Sequence, residues 1–574
     1  MKILKPTRQF VDQNLIVDSW ESIEKYFTDL INREIDTIED FLTWLKDQSE
    51  LEAILEEDAA WRYIKMTIDT KNEALSNSYT FFVTQIQPQI EPLDDQINRK
   101  LDAMGYTEEL ISDPAFEILF RRIKKSLELY REENIEIQSK LAEESQKFGS
   151  LSAAQSIEHN GEKLTMQQAS ILLKETDESL RKEVFEKIAN RRKEDVDAFD
   201  ALFDSLLAKR HQIATNAGFE NFRDYKMQAM GRFDYNVSDC EDFHQSIKSV
   251  IVPIVKKMQQ NRLDKLGKSL FKPWDLDVDP EGKAPLKPFS NGSELLEGAV
   301  NMFNRIDPYF GDCLTTMSEM KHLDLESKDG KSPGGYNYPL YEIGVPFIFM
   351  NAVGSHRDLV TMVHEGGHAV HSFLSRDLEL TGFKSLPSEV AELASMSMEL
   401  LSMDEWEEFY SDPKDLNRAI EEQLETVIKL LPWIAQVDEF QHWLYVNHSH
   451  TNAERTEEWI SLSKAYGTGL TDWSGYEDVQ SNSWQRQLHI FEVPFYYIEY
   501  GIAQLGALGV WKNSLEDKAK AIEDYKNALK LAYTRSIPQI YETANIKFDF
   551  TEKYIKQLAE FIENKLAELK VQLD

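Results

Sequence analysis

Cysteine is nearly absent from this chain of 574 residues, with only Cys240 and Cys313 present. Two thiols cannot build a disulfide framework, and such sparing use points to a reducing compartment. Long apolar runs are missing too. No stretch of about 18 apolar residues occurs, so no segment is expected to span a bilayer. The opening MKILKPTRQFVDQNLIVDSW lacks the continuous apolar centre of a signal peptide, which makes the cytoplasm the expected address. Basic residues are also short: 64 Lys and Arg stand against 100 Asp and Glu, a formal net charge of −36. A phosphate backbone or an anionic membrane surface attracts the opposite sign. Nucleic acid and membranes are therefore excluded as main partners.

What is present suffices for a large core, since 42% of residues are hydrophobic and 11% aromatic. Segments such as WESIEKYFTDLINREI and FLTWLKDQSELEAILEE space apolar residues three and four apart, as amphipathic helices do. Their interleaved charges read as solvated faces. Two patches break the pattern. SIEHNGEKLTM alternates around Asn160-Gly161, a hairpin signal. DLESKDGKSPGGYNYPLYEIGVPFIFMN ends in a β-prone run, Val345 to Met350, whose early proline suits an edge strand. Residues 270–292, rich in Pro, Gly and Asp, read as an irregular excursion. The fold class is mainly α with small β patches.

The second patch leads into DLVTMVHEGGHAVHSFL, which holds His364-Glu365-Gly366-Gly367-His368. Side chains four apart share a helix face, so His364 and His368 can reach one ion. Glu365 stands beside them, where it can take a proton from water. Two adjacent glycines in a helix cost about 1 kcal/mol each relative to Ala. Among apolar neighbours they signal that a backbone or a ligand comes close.

A catalytic zinc ion takes three protein ligands and keeps one open position. His371 lies seven residues after His364, a rise of about 10 Å, too far to join the pair. It reads as a substrate-facing or supporting group, or as a plain buried histidine. The next helix, LPSEVAELASMSMELLSM, offers Glu389, Glu392 and Glu399 among apolar residues, where carboxylates are expensive unless paired or bound to metal. Glu392 and Glu399 are seven apart on one face, so one can bind metal while the other orients a histidine. Helix geometry alone does not choose between Glu389 and Glu392. Further on, LHIFEVPFYYIEYGIAQLGAL sets His489 before Tyr496, Tyr497 and Tyr500. Such aromatics commonly pack in cores, yet imidazole and phenol groups are also the donors an oxyanion needs.

HEGGHAVH, with Glu392 in ELASMSMELL 24 residues after His368, resembles the oligoendopeptidase F and thimet oligopeptidase family of zinc metallopeptidases. HIFEVPFYYIEYGIAQLGAL, NAGFENFRDY and the GKSPGGY to PFIFMN approach match that family as well. The resemblance covers residues 150–560 and is most specific at 330–400 and 485–510. Length and the lack of a leader fit its bacterial oligoendopeptidase F branch.

The resemblance implies one zinc ion per chain, held by His364, His368 and Glu392, with Glu365 as general base. It assigns oxyanion stabilisation to His489, Tyr497 and Tyr500, with Tyr496 as a neighbour. It also implies a two-lobed helical ellipsoid around a deep channel, and short unfolded peptides as substrates. The expected division is an N-terminal helical region, 1–195, and a catalytic domain, 196–574. The backbone of Gly334, Gly335 and Tyr336, or the strand Val345 to Met350, is a candidate to pair with an extended peptide. The alternatives are an exopeptidase on the same metal core and an inactive peptide-binding homologue.

Overall fold

Three-and-four apolar spacing makes most of the chain helical, and polar caps fix where the helices begin. The computed structural model describes residues 1–145, 147–328, 330–332 and 334–571. Thr37 starts the helix Ile38–Ile68 with a capping box closed by Asp40. That helix buries Phe41, Trp44 and Leu45 in a core drawn from Val11 to Phe120. Leu380 and Phe383, from much later in the chain, complete the same core. A second, larger core runs from Phe148 to Leu566 and surrounds the HEGGH segment. Among the described residues, no helix is long and apolar enough to cross a membrane.

The Asn160-Gly161 hairpin forms as its turn chemistry requires. Strands β1 (Ser156–His159) and β2 (Glu162–Thr165) pair antiparallel, and both turn residues have positive φ, 52° and 80°. A second sheet contains β3 (Leu323–Glu326), β4 (Tyr336–Tyr338) and β5 (Phe347–Ala352), in the order β3-β5-β4. The expected edge strand at 345–350 is therefore a central one. β3 runs parallel to it on one side and β4 antiparallel on the other. Pro346 precedes Phe347, the first paired residue, so its missing N–H removes no bond from the ladder. With both edges of β5 filled, an added peptide strand cannot pair there.

Three residues beyond β5, Ser355 caps the HEGGH helix, His356–Ser375, in a box with Asp358. Its glycines are where neighbours come closest. A methyl group at Gly366 would lie 2.6 Å from the Phe303 ring, and one at Gly367 2.7 Å from both the Ala394 carbonyl oxygen and the Ser395 Cα. Those last two atoms belong to the backbone of the carboxylate helix, Ser388–Ser402. Gly367 thus lets the two helices touch main chain to main chain. The Gly367→Ala variant is expected to lose about 1–3 kcal/mol of stability, despite the better helix propensity of Ala. Denaturant midpoints measure it, and a variant as stable as the parent would contradict this packing.

Candidate active site

The HEGGH helix and the carboxylate helix bring three donor groups together. The Nε2 atoms of His364 and His368 stand 3.4 and 3.7 Å from the same Glu392 oxygen, Oε2. The two imidazole rings are 4.9 Å apart and nearly perpendicular. Ligands on a tetrahedral zinc ion at ordinary bond lengths sit about 3.3 Å from each other. Two imidazole nitrogens and a carboxylate oxygen at this spacing fit the ion in number, type and separation.

His364 and Glu392 are held from behind. His364 Nδ1 lies 2.7 Å from Glu399 Oε1, and the other Glu399 oxygen accepts from Gln423 Nε2 at 2.8 Å. Glu392 Oε2 accepts from Ser395 Oγ at 3.0 Å, and its Oε1 accepts from the Tyr496 hydroxyl at 3.0 Å. Burial alone would raise the Glu392 carboxyl. The His364 hydrogen bond and the two imidazoles reverse this and hold it at about 2. Burial opposes charge on His364 too, yet Glu392 and Glu399 drive its pKa well above the usual value. Burial takes His368 down to about 4. Two carboxylates around these rings, Glu392 and Glu399, make a place that suits a cation.

Glu365 is buried, and that burial pushes its carboxyl up to about 7, opposed by His364 and reinforced by Glu392 and Glu399. Its backbone carbonyl accepts from Asn337 Nδ2 of β4 at 3.2 Å. A carboxyl poised near neutrality can both take and return a proton.

Opposite these groups, His489 precedes the tyrosine helix, Tyr497–Glu516. Trp433 Nε1 donates to Gln487 Oε1 at 3.0 Å, which turns the Gln487 amide nitrogen towards His489 Nδ1 at 2.7 Å. The proton of a neutral His489 then resides on Nε2. Burial lowers this ring to about 4, keeping it neutral. Its centroid is 4.8 Å from that of Tyr497, 5.8 Å from Tyr500 and 6.0 Å from Tyr496. The three phenols face different groups. Tyr496 bonds Glu392, burial with the fields of Glu392 and Glu365 raises Tyr500, and Tyr497 interacts with Trp433 and Gln487.

The remaining candidates lie apart. Glu389 points the other way and accepts from the Tyr235 hydroxyl at 2.5 Å, next to the Arg232–Glu499 pair. His371 is buried beside the Leu529 backbone and is not among the three convergent groups. Gly334 takes φ +97° just before β4, its carbonyl accepts from Asn351 Nδ2 at 2.8 Å, and the Tyr336 hydroxyl is engaged by Thr67 at 2.6 Å. Gln423, Gln487, Trp433 and Asn337 were not singled out from sequence. Nothing in their local pattern marks them: Gln423, Trp433 and Asn337 act through residues 24 to 54 positions away, and Gln487 gains its role at His489 only once Trp433 fixes its amide.

Residues 171–560 match Peptidase family M3, and residues 10–130 match the Peptidase M3 N-terminal domain. The chain belongs to peptidase family M3. Among relatives of this M3 peptidase, the oligoendopeptidase F homolog of Borreliella burgdorferi is 24% identical over 65% of the chain and 62% of its own length. A plasmid-borne oligoendopeptidase F of Lactococcus lactis subsp. cremoris is 26% identical over 44% of the chain and 41% of its own. The alignments thus span about four to six tenths of these curated relatives. In structure, PZ peptidase A solved with an inhibitor superposes with a TM-score of 0.90 at 27% identity, covering 98% of this chain and 99% of that one.

Proposed function

We propose that this M3 peptidase is a zinc-dependent oligoendopeptidase that hydrolyses internal bonds of short, unfolded peptides. The observation that carries the reading is the convergence of His364 Nε2, His368 Nε2 and Glu392 Oε2 beside a Glu365 carboxyl raised to about 7. His364, His368 and Glu392 would hold the ion. When bound, zinc there supplies Lewis acidity and makes a nearby water more acidic.

The chain's own groups do the rest. Glu365 takes a proton from the attacking water as it adds to the scissile carbonyl, then hands that proton to the departing amine. Glu399, steadied by Gln423, fixes the orientation of His364. Neutral His489, with its proton on Nε2, and the Tyr500 hydroxyl are the donors for the developing oxyanion. Tyr496 tethers Glu392, and Tyr497 packs beside Gln487, which sets the His489 tautomer. An extended peptide pairs with the backbone at Gly334 to Tyr336, where β4 lies at the edge of its sheet. Relatives named oligoendopeptidase F support the substrate class.

A peptide blocked at both ends and read by mass spectrometry tests this reading. Cleavage at internal bonds, abolished by a chelator, is expected. An intact blocked peptide alongside a trimmed free-ended one would reassign the site to an exopeptidase.

A further inference from the structure

A second group of metal-binding residues lies outside the active site. Cys240 and His244 are four apart on the helix Val237–Ser246, and Asp438 and His442 are four apart on the long helix Pro413–Val446. Each spacing puts two side chains on one helix face, and the two faces meet. His244 Nε2 lies 2.8 Å from Asp438 Oδ2, and His442 Nε2 lies 3.2 Å from that same oxygen. The Cys240 sulfur, an Asp438 oxygen and a His442 nitrogen all fall within 4.8 Å of one another. All four residues are buried, Cys240 to 1% exposure, Asp438 to 0%, His244 to 2% and His442 to 7%.

What the protein leaves undone there points to a ligand. Asp438 Oδ1 and both ring nitrogens of His442 are buried with no hydrogen-bond partner, although His442 Nε2 sits so near a carboxylate. Buried polar groups without partners are costly, and at His442 the open nitrogens stand together with an open Asp438 oxygen and the Cys240 sulfur. His244 takes a different part. It contacts Asp438 and lies outside the tight trio, as a group that orients a metal-binding carboxylate does. A cavity of about 240 Å³ lined by His244, His442, Glu241 and Glu439 adjoins the cluster and gives an ion a way in past two carboxylates.

We propose that Cys240, Asp438 and His442 bind a second divalent, thiol-seeking cation of the zinc type, with His244 orienting Asp438. On binding, the Cys240 thiol gives its proton to solvent while the His442 imidazole binds in its neutral form. A thiolate and a carboxylate then balance the two positive charges, so the buried site becomes neutral overall. Sulfur, nitrogen and oxygen donors together favour zinc or cobalt over magnesium or calcium. The ion would pin Val237–Ser246 to Pro413–Val446, the helix whose Gln423 steadies Glu399.

Cobalt separates this site from the active site, because only here is sulfur available. The full chain is produced in zinc-depleted, cobalt-supplemented medium, so that the ion enters as the protein folds. The expected spectrum carries a strong thiolate-to-cobalt charge-transfer band in the near ultraviolet. It should persist in Glu392→Ala and Cys313→Ser and vanish in Cys240→Ser. Absence of the band from the cobalt-grown parent overturns the proposal without any variant, and so does a band that survives Cys240→Ser. A parent that shows the band but leaves blocked peptides intact retains this site and loses the endopeptidase reading. Chelator-sensitive cleavage without the band does the reverse.

Discussion

The Glu365→Gln variant is expected to lose about 10²- to 10⁴-fold in kcat/KM while keeping its full metal content. The amide matches the carboxylate in shape, so the HEGGH helix should pack unchanged. It has no basic oxygen with which to take a proton from water. Glu365 is not one of the three convergent donors, so its replacement leaves His364, His368 and Glu392 intact. The Asn337 contact also survives, because it is made to the Glu365 backbone carbonyl. Metal analysis and peptide hydrolysis on one preparation measure both halves. Near-parental turnover would remove Glu365 from the proposed mechanism, and loss of metal would make it a ligand.

A paired comparison has the next largest effect. Glu392→Ala is expected to give up one metal equivalent per chain and to show no measurable hydrolysis. Glu389→Ala, three residues earlier on the same helix, should keep the metal. Its damage should fall on stability, because it strands the Tyr235 hydroxyl and leaves Arg232 with Glu499 as its nearby carboxylate. An unsatisfied buried group of this kind costs about 1–3 kcal/mol. Metal content after gel filtration, with melting temperature, separates the two outcomes. If Glu389→Ala sheds the metal and Glu392→Ala retains it, the ligand assignment is reversed.

How far the sequence could be read follows from the range of the forces involved. His364 and His368 were legible because their relation is one helical turn, which needs no tertiary knowledge. The Asn160-Gly161 hairpin was legible because positive φ at two neighbouring residues is a local demand. Glu389 and Glu392 could not be told apart, since which one faces the histidines depends on how the carboxylate helix is rotated against Gly367. Val345 to Met350 read as an edge because of Pro346, yet that proline stands just before the ladder, and the two flanking strands come from 323–326 and 336–338. Gln487, Trp433 and Gln423 went unseen, as polar residues without a pattern do. The pairs Cys240 with His244 and Asp438 with His442 are ordinary four-residue spacings until two helices nearly 200 positions apart are laid together.

The place where Leu380 and Phe383 reside has a consequence for how this protein tolerates change. Both lie between the HEGGH helix and the carboxylate helix, yet they pack in the core built from Val11 to Phe120. Ser49 locks this connector further, as its hydroxyl accepts from the Thr381 N–H at 2.5 Å and donates to the Thr381 hydroxyl at 2.9 Å. Glu57, on the same N-terminal helix, accepts from the Ile343 N–H just ahead of β5. The first 120 residues therefore act as a splint across the two halves of the proposed ligand set, although they supply none of its donors. A substitution that loosens Phe41 or Trp44 would be felt in the spacing between His368 and Glu392, and the connector's length is not free to drift while the splint stays the same.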